Sequence, residues 1–416
     1  MLQKTDPQIH KLIQKETKRQ ADYLSMIASE NYSSASVREA LGSILTNKYS
    51  EGEPQKRYYQ GNENIDSIEL LACERALDIF GLSAKKWHAN VKATSASIAN
   101  LAVLSALLKP GDKILAMNLT HGGHLSHGWK LPNGKHISFS SKIFQPHYYE
   151  VDPHTEKFDY NQILKIAKKV KPQILISGGT AYVRDINYKK MKQIAREVGA
   201  IYLADIAHEA GLIAGKALKS PFPHADVVTM STQKTLRGPR GSIVICRSEL
   251  ADQIDKAIFP GLLGGPFNNN IAAIATSLKE AKQKKFQTYC RQTIVNAQAL
   301  ASSLQEKGFQ IMTGGTDKHL ILIDLRNINS NGKEAAILLE KAGIVCNKNT
   351  VPFETGSPFS PSGIRLGTPA LTTRGMKEKE MKMIADFYYQ VLIAKKSPTK
   401  VFSEVKKLVA KFPITV

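Results

Sequence analysis

The sequence predicts an α/β fold built on a mainly parallel sheet, and three observations carry that expectation. Short apolar runs rich in β-branched residues alternate with helical stretches through the first two-thirds of the chain. Two of these runs lead straight into residues suited to ligand chemistry, Asp205 and the turn holding Lys234. The 416 residues, 42% hydrophobic and 22% charged, suffice for two or three domains with a large buried core.

The elements follow in order. The first 25 or so residues read as a helical arm, expected to pack on another subunit. Asp66-Ser67-Ile68-Glu69 resembles a capping box that opens a helix carrying Leu70, Leu71, Ala76 and Leu77, with a stop at Gly81. Residues 95–108 read as a buried helix closed by Lys109-Pro110-Gly111-Asp112. Strands are expected at 113–117, 173–177, 200–204, 226–230 and 242–246, with a helix at 189–198 among those between them. Beyond about residue 280 a long helix, strands near 309–312 and 320–324, and terminal helices suggest a smaller α+β domain. The expected division is an arm at 1–25, a large domain at 26–280 and a small one at 281–416.

Lys and Arg number 57 against 36 Asp and Glu, a formal charge of +21. Such a charge suits nucleic acid. Yet the lysines are spread over the whole chain, aromatics are only 7%, and no nucleic-acid motif is present, so that reading is disfavoured. The basic residues of the last 46 positions alternate with apolar ones at helical spacing, as on the wet face of amphipathic helices. No run reaches the roughly 18 apolar residues of a membrane span, and no secretory leader is evident, so the expected location is the cytoplasm. Cys73, Cys246, Cys290 and Cys346 are far apart and suggest neither a zinc site nor a disulfide framework.

Three motifs carry chemistry. In Ser231-Thr232-Gln233-Lys234-Thr235-Leu236-Arg237-Gly238-Pro239-Arg240, a lysine enters a turn beside two arginines, which would ease loss of its proton and suit a Schiff base with an aldehyde cofactor. A lone lysine in a turn is more often simply solvated. Asp205 closes an apolar strand, where a carboxylate can face a pyridine nitrogen, although for the motif alone a cap on the next helix is the favoured reading. Ser95 and Ala96 open a helix whose first amides suit a phosphate, with an ordinary N-cap as the alternative. Phosphate cup, acidic strand end and lysine together match pyridoxal phosphate. His121, His124 and His127 have a metal-like spacing, but Gly122 and Gly123 argue for a loop, and no metal is expected.

Further motifs extend the pattern: Ile27-Ala28-Ser29-Glu30-Asn31, Leu45-Thr46-Asn47-Lys48-Tyr49-Ser50-Glu51-Gly52, Lys56-Arg57-Tyr58-Tyr59, His121-Gly122-Gly123-His124-Leu125-Ser126-His127-Gly128, Gly264-Gly265-Pro266, Asn347-Lys348-Asn349 and Ser362-Gly363-Ile364-Arg365-Leu366-Gly367-Thr368-Pro369-Ala370. With these the chain resembles the serine hydroxymethyltransferase family over nearly its whole length. The resemblance implies a fold-type-I pyridoxal-phosphate transferase, aspartate-aminotransferase-like, with a large mixed-sheet domain and a smaller C-terminal α+β domain. It implies transfer of the L-serine hydroxymethyl carbon to tetrahydrofolate, leaving glycine, in a homodimer or a tetramer. Lys234 would carry the cofactor, Asp205 would pair with its ring nitrogen, His124 would stack on the ring, and His208 and Thr180 would approach its phenolic oxygen. Ser95 and Ala96 would hold the phosphate, helped across a dimer interface by Tyr49 and Gly265. Arg365, Ser29 and Tyr59 would bind the substrate carboxylate, Glu51 would serve as acid/base, and Leu119, Gly123, Leu125 and Asn349 would contact the pterin.

The chain also departs from that pattern. Gln233 stands where His usually precedes the lysine, Thr94 and Ala96 flank Ser95 in place of His and Gly, and Asn269 and Leu263 replace a His and a Gln around Gly-Gly-Pro. Glu209, Gln60 and Glu53 replace an apolar residue, a glycine and an aromatic or small residue. These departures keep two other readings open: a folate-independent aldolase or transaldolase of β-hydroxy amino acids, and a non-catalytic basic binding protein on the same fold.

Overall fold

The five apolar runs expected as strands align in one seven-stranded sheet, because each is buried on both faces and needs a neighbour for its backbone groups. In the computed structural model, which describes residues 1–131, 133–357 and 359–415, the sheet order is Trp87–Asn90, Ser242–Arg247, Val227–Ser231, Ile201–Asp205, Ile174–Ser177, Lys113–Met117, Gln145–Tyr149. The last five strands of that order run parallel, and Ser242–Arg247 is antiparallel to both of its neighbours. The sheet is therefore mixed. It belongs to a unit spanning Ser33–Arg291, with the helices Ala96–Leu107 and Ala251–Ile258 contributing Val103, Leu104, Ile254 and Ile258 to a core shared with Ile114, Ile176, Leu203 and Val244.

One helix start differs from the expectation. The helix holding Asp66 runs Glu63–Asp78, one turn earlier than a capping box at Asp66 would allow. Asp66 and Glu69 do not cap it. Their carboxylates are taken by Arg57, a partner nine and twelve residues away. The other helices fall within a residue or two of their expected bounds, including Ala96–Leu107 and Tyr188–Glu197.

The second unit joins Met1–Tyr32 to Gln292–Val416. Its four-stranded antiparallel sheet has the order Gln310–Ile311, Leu320–Asp324, Gly363–Gly367, Asn347–Asn349. Leu24–Ser25 pairs in parallel with Ile344–Val345, which fastens the end of the N-terminal helix Pro7–Asp22 to this unit. Leu24 and Met26 are buried there with Ile321, Ile323, Leu366, Ile384 and Tyr388. All four cysteines are free thiols. Among the described residues, no helix is long and apolar enough to cross a membrane.

Candidate active site

In the unit Ser33–Arg291, the parallel strand Ile201–Asp205 delivers Asp205 to its carboxyl end, almost fully buried. Its Oδ2 accepts hydrogen bonds from Asn100 Nδ2 at 2.8 Å and His127 Nε2 at 2.9 Å, and its Oδ1 accepts from the amide of Ala207 at 2.9 Å. Asn100 is itself oriented, since its Oδ1 accepts from Thr229 Oγ1 at 2.6 Å. Burial alone would raise the Asp205 pKa, but the hydrogen bond and positive character of His127, with His124 and Asn100 adding, pull it below the ordinary carboxylate range. The result is a negative charge held in place inside the protein.

His127 was not picked out by its chemistry in the sequence beyond its place in the histidine triplet. Its partner comes from a strand 78 residues on, so no local signal could name it. His124, His127 and Asp205 each offer one donor atom within 4.8 Å of the others, a spacing that would admit a cation. The three hydrogen bonds already made by Asp205 fit a supported carboxylate. His121, the first of the triplet, points elsewhere, with Nε2 3.7 Å from Glu150.

Ser95 does cap the helix Ala96–Leu107, accepting from the Ile98 amide at 3.3 Å, so the ordinary reading of that serine holds locally. The same helix places Asn100 on Asp205 one turn later, which brings the helix start and the carboxylate into one neighbourhood. Lys234 follows the strand Val227–Ser231 in a tight loop. The loop is shaped by Thr232 Oγ1 donating to Pro239 O, by Gly238 N donating to Thr232 O, and by Thr235 Oγ1 donating to His208 O at 2.8 Å. Arg237 lays its guanidinium over the Tyr289 ring at 4.5 Å, and Arg240 is exposed. Thr180 donates to Gly123 O at 2.8 Å, tying its loop to the one that carries Leu119, Gly123, His124 and Leu125. His124 Nδ1 lies 2.7 Å from Ser126 Oγ, and Leu125 is exposed.

Gln233 bears on the cofactor. Its Oε1 is buried and has no hydrogen-bond partner within the chain. A buried amide end left unpaired is costly, and the side-chain amide can present either its oxygen or its NH2. Next to Lys234 in the chain, it leaves a polar end for a polar group of a bound ligand. Asp205 fits a protonated ring nitrogen. The donor set present therefore suits pyridoxal phosphate.

A second group in the same unit surrounds Glu51. Tyr59 OH donates to Glu51 Oε2 at 3.2 Å, which raises the tyrosine pKa. Tyr49 and Tyr59 meet edge to face, 5.6 Å between centroids. Tyr49 lies flat on Gly265, where a Cβ would come within 3.0 Å of Cζ, so a side chain there would displace the ring. Asn268, which sequence reasoning missed, holds both neighbours of Tyr49: its Oδ1 accepts from Ser50 Oγ and its Nδ2 donates to Lys48 O, each at 2.7 Å. Asn269 donates instead to Leu41 O at 2.7 Å. An open cavity of about 470 Å³ adjoins Glu51, walled by Tyr58, Phe259 and Leu262.

In the other unit, Arg365 occupies the centre of the strand Gly363–Gly367, 8% exposed, with Nε donating to Asn347 Oδ1 at 3.1 Å. Burial pulls its pKa down to about 10, which leaves it a cation at neutral pH. Asn349 sits two positions along the neighbouring strand from Asn347. Ser29 follows Ala28, which packs so closely on Gly367 that a Cβ there would meet Ala28 Cα at 2.4 Å. Arg365 and Asn349 thus lie on adjacent strands of one sheet, and the residue before Ser29 packs on the end of the Arg365 strand.

Comparison with known proteins agrees with this reading. A family profile described as serine hydroxymethyltransferase matches residues 2–388. A serine hydroxymethyltransferase of Methanosarcina barkeri (strain Fusaro / DSM 804) is 51% identical over 418 aligned positions, covering 99% of each chain.

Proposed function

Since the chain belongs to the serine hydroxymethyltransferase family, we propose that it is a pyridoxal-phosphate enzyme of fold type I that moves the hydroxymethyl carbon of L-serine reversibly to tetrahydrofolate, giving glycine and 5,10-methylenetetrahydrofolate. The observation that carries the chemistry is the buried, hydrogen-bonded Asp205 carboxylate beside the Ser95-capped helix and in the same unit as the Lys234 loop. No observation favours a folate-independent aldolase or a non-catalytic binding protein.

When bound, pyridoxal phosphate supplies an electron sink for the pair released as a bond to the substrate Cα breaks. Lys234 would hold its aldehyde carbon through Nζ. Asp205 would face the ring nitrogen with its negative charge, which favours the protonated form of that nitrogen. Ser95 and the Ala96 amide would hold the phosphate, and His124, His208 and Thr180 would contact the ring. Arg365 binds the serine carboxylate as a two-pronged donor, aided by Ser29 and Tyr59. Glu51 handles the proton on the serine hydroxyl as the Cα–Cβ bond breaks, and returns it in the reverse direction. Leu119, Gly123, Leu125 and Asn349 contact the pterin. We place Tyr49 and Gly265 at the phosphate of a partner copy in a homodimer. The large side chains left exposed around them, Ile44, Tyr49, Tyr58 and Phe267, support that assembly. Serine cleavage that depends on added tetrahydrofolate tests the proposal; a protein that cleaves no serine overturns it.

Gln233 gives a smaller test. A neutral amide can orient neighbouring groups but cannot titrate near neutrality as histidine can. Gln233→His is expected to raise folate-dependent turnover by about tenfold or less, the equivalent of ~1.4 kcal/mol of barrier, with little change in cofactor affinity. Steady-state kinetics and a cofactor titration check it. Unchanged or lower turnover means that the surroundings have adapted to glutamine.

A further inference from the structure

Glu51 is gripped through its neighbours. The carbonyls of Ser50 and Gly52 both accept from Arg57 Nη1, so one guanidinium brackets the residue between them. That guanidinium is in turn fixed by the helix Glu63–Asp78, with Nε donating to Asp66 Oδ1 at 2.8 Å and Nη2 to Glu69 Oε2 at 2.6 Å. Glu69 turns its other oxygen to Lys92, 3.5 Å away, and Lys92 Nζ donates to Glu53 Oε1. The side chains of Arg57, Glu69 and Lys92 are only 3 to 4% exposed, while that of Glu53 is 38% exposed.

The arrangement has a consequence for geometry. Two cations and three carboxylates interlock three segments, the hairpin at 52–57, the helix Glu63–Asp78 and the stretch at Lys92, and where such side chains are buried a partner removed leaves a charge uncompensated. Glu53 is on the strand Gly52–Glu53, which follows Glu51 directly, and Lys92 lies three residues before Ser95. The Lys92–Glu53 pair therefore ties the acid/base segment to the segment that opens the Ser95-capped helix. Glu53 is also one of the positions at which the chain departs from the family pattern.

We propose that Glu53 and Lys92 are positioning residues for Glu51: their ion pair, continued through Glu69 and Arg57, sets where the Glu51 carboxylate stands. The proposal rests on the reading of Glu51 as the acid/base. It predicts a loss in turnover without a matching loss in cofactor or serine binding, because a reacting group displaced by about 1 Å can cost on the order of 100-fold while binding groups stay in place.

The test uses the cofactor-loaded protein and the variants Glu53→Gln, Lys92→Met and Lys92→Arg, with Glu53→Gln made also in a Glu51→Gln background. Glu53→Gln is expected to lower kcat for folate-dependent serine cleavage by roughly tenfold or more, with the serine KM and the cofactor dissociation constant within about twofold. Lys92→Met should behave likewise, and Lys92→Arg should recover most of the loss. In the Glu51→Gln background, Glu53→Gln should lower kcat no further, because it acts through Glu51. Because Glu53 is partly exposed, its variant tests the proposal even if Lys92→Met fails to fold. The same fractional loss in both backgrounds, a parallel loss of cofactor affinity, or no loss at all overturns the proposal. If Glu51→Gln alone leaves turnover intact, the acid/base reading fails instead, and the positioning role falls with it.

Discussion

Lys234→Ala is expected to give a folded protein that no longer shows the absorption band of covalently held pyridoxal phosphate and has lost serine cleavage by about 1,000-fold or more. The loop should keep its shape, because Thr232, Thr235 and Gly238 supply the hydrogen bonds that define it. The Ser95-capped helix start and the charge at Asp205 are also untouched, so the variant should still take up the cofactor without the covalent bond. Cofactor titration followed by absorption, beside a thermal melt, separates these effects. Retention of the band in Lys234→Ala would move the covalent site to another lysine.

Glu51→Gln is the second large effect. The substitution keeps the shape of the side chain, and its amide oxygen can still accept from Tyr59 OH, so the segment should hold its place. What disappears is a group that can take and return a proton. Turnover of serine should fall by roughly 100- to 10,000-fold, the range set by loss of general acid–base catalysis. Cofactor affinity should change by less than about twofold, since no phosphate or ring contact is assigned to Glu51. Equal losses in turnover and in cofactor affinity, measured by kinetics and titration on one preparation, would show that Glu51 has been given the wrong role.

The central strands were legible because burial on both faces demands uninterrupted apolar runs, as in Leu115, Ile176 and Leu203. The two edge strands were not. Trp87–Asn90 carries His88 and Asn90, and Gln145–Tyr149 carries Pro146 and His147, residues that an edge tolerates and that break the apolar signal. Pairing of Leu24–Ser25 with Ile344–Val345 likewise joins segments from opposite ends of the chain, which no local pattern announces. At Asp66 and Glu69 the local pattern misled: their spacing imitates a capping box, whereas their charges are spent on Arg57.

The site shows the same division. Ser95, Asp205 and Lys234 stood out because they open a helix, end a strand and follow a strand into a turn, in a chain order that matches one kind of cofactor. The residues that support them were hidden. Asn100 sits on an apolar helix where it reads as a minor irregularity, His127 reads as a member of a histidine triplet, and Asn268 as part of an asparagine run. Only folding shows that the first two hold Asp205 and the third holds the segment of Tyr49. Supporting contacts are made across the fold, so sequence spacing carries little trace of them.

The most direct measurement follows the fate of the serine β-carbon. The purified, cofactor-loaded protein is given serine labelled at that carbon, with and without tetrahydrofolate, and glycine and labelled one-carbon products are quantified together. The account predicts that with tetrahydrofolate the label appears in 5,10-methylenetetrahydrofolate in step with glycine, and that without it glycine formation falls steeply. Glycine formed at the same rate without tetrahydrofolate, with the label leaving as free aldehyde, would contradict it.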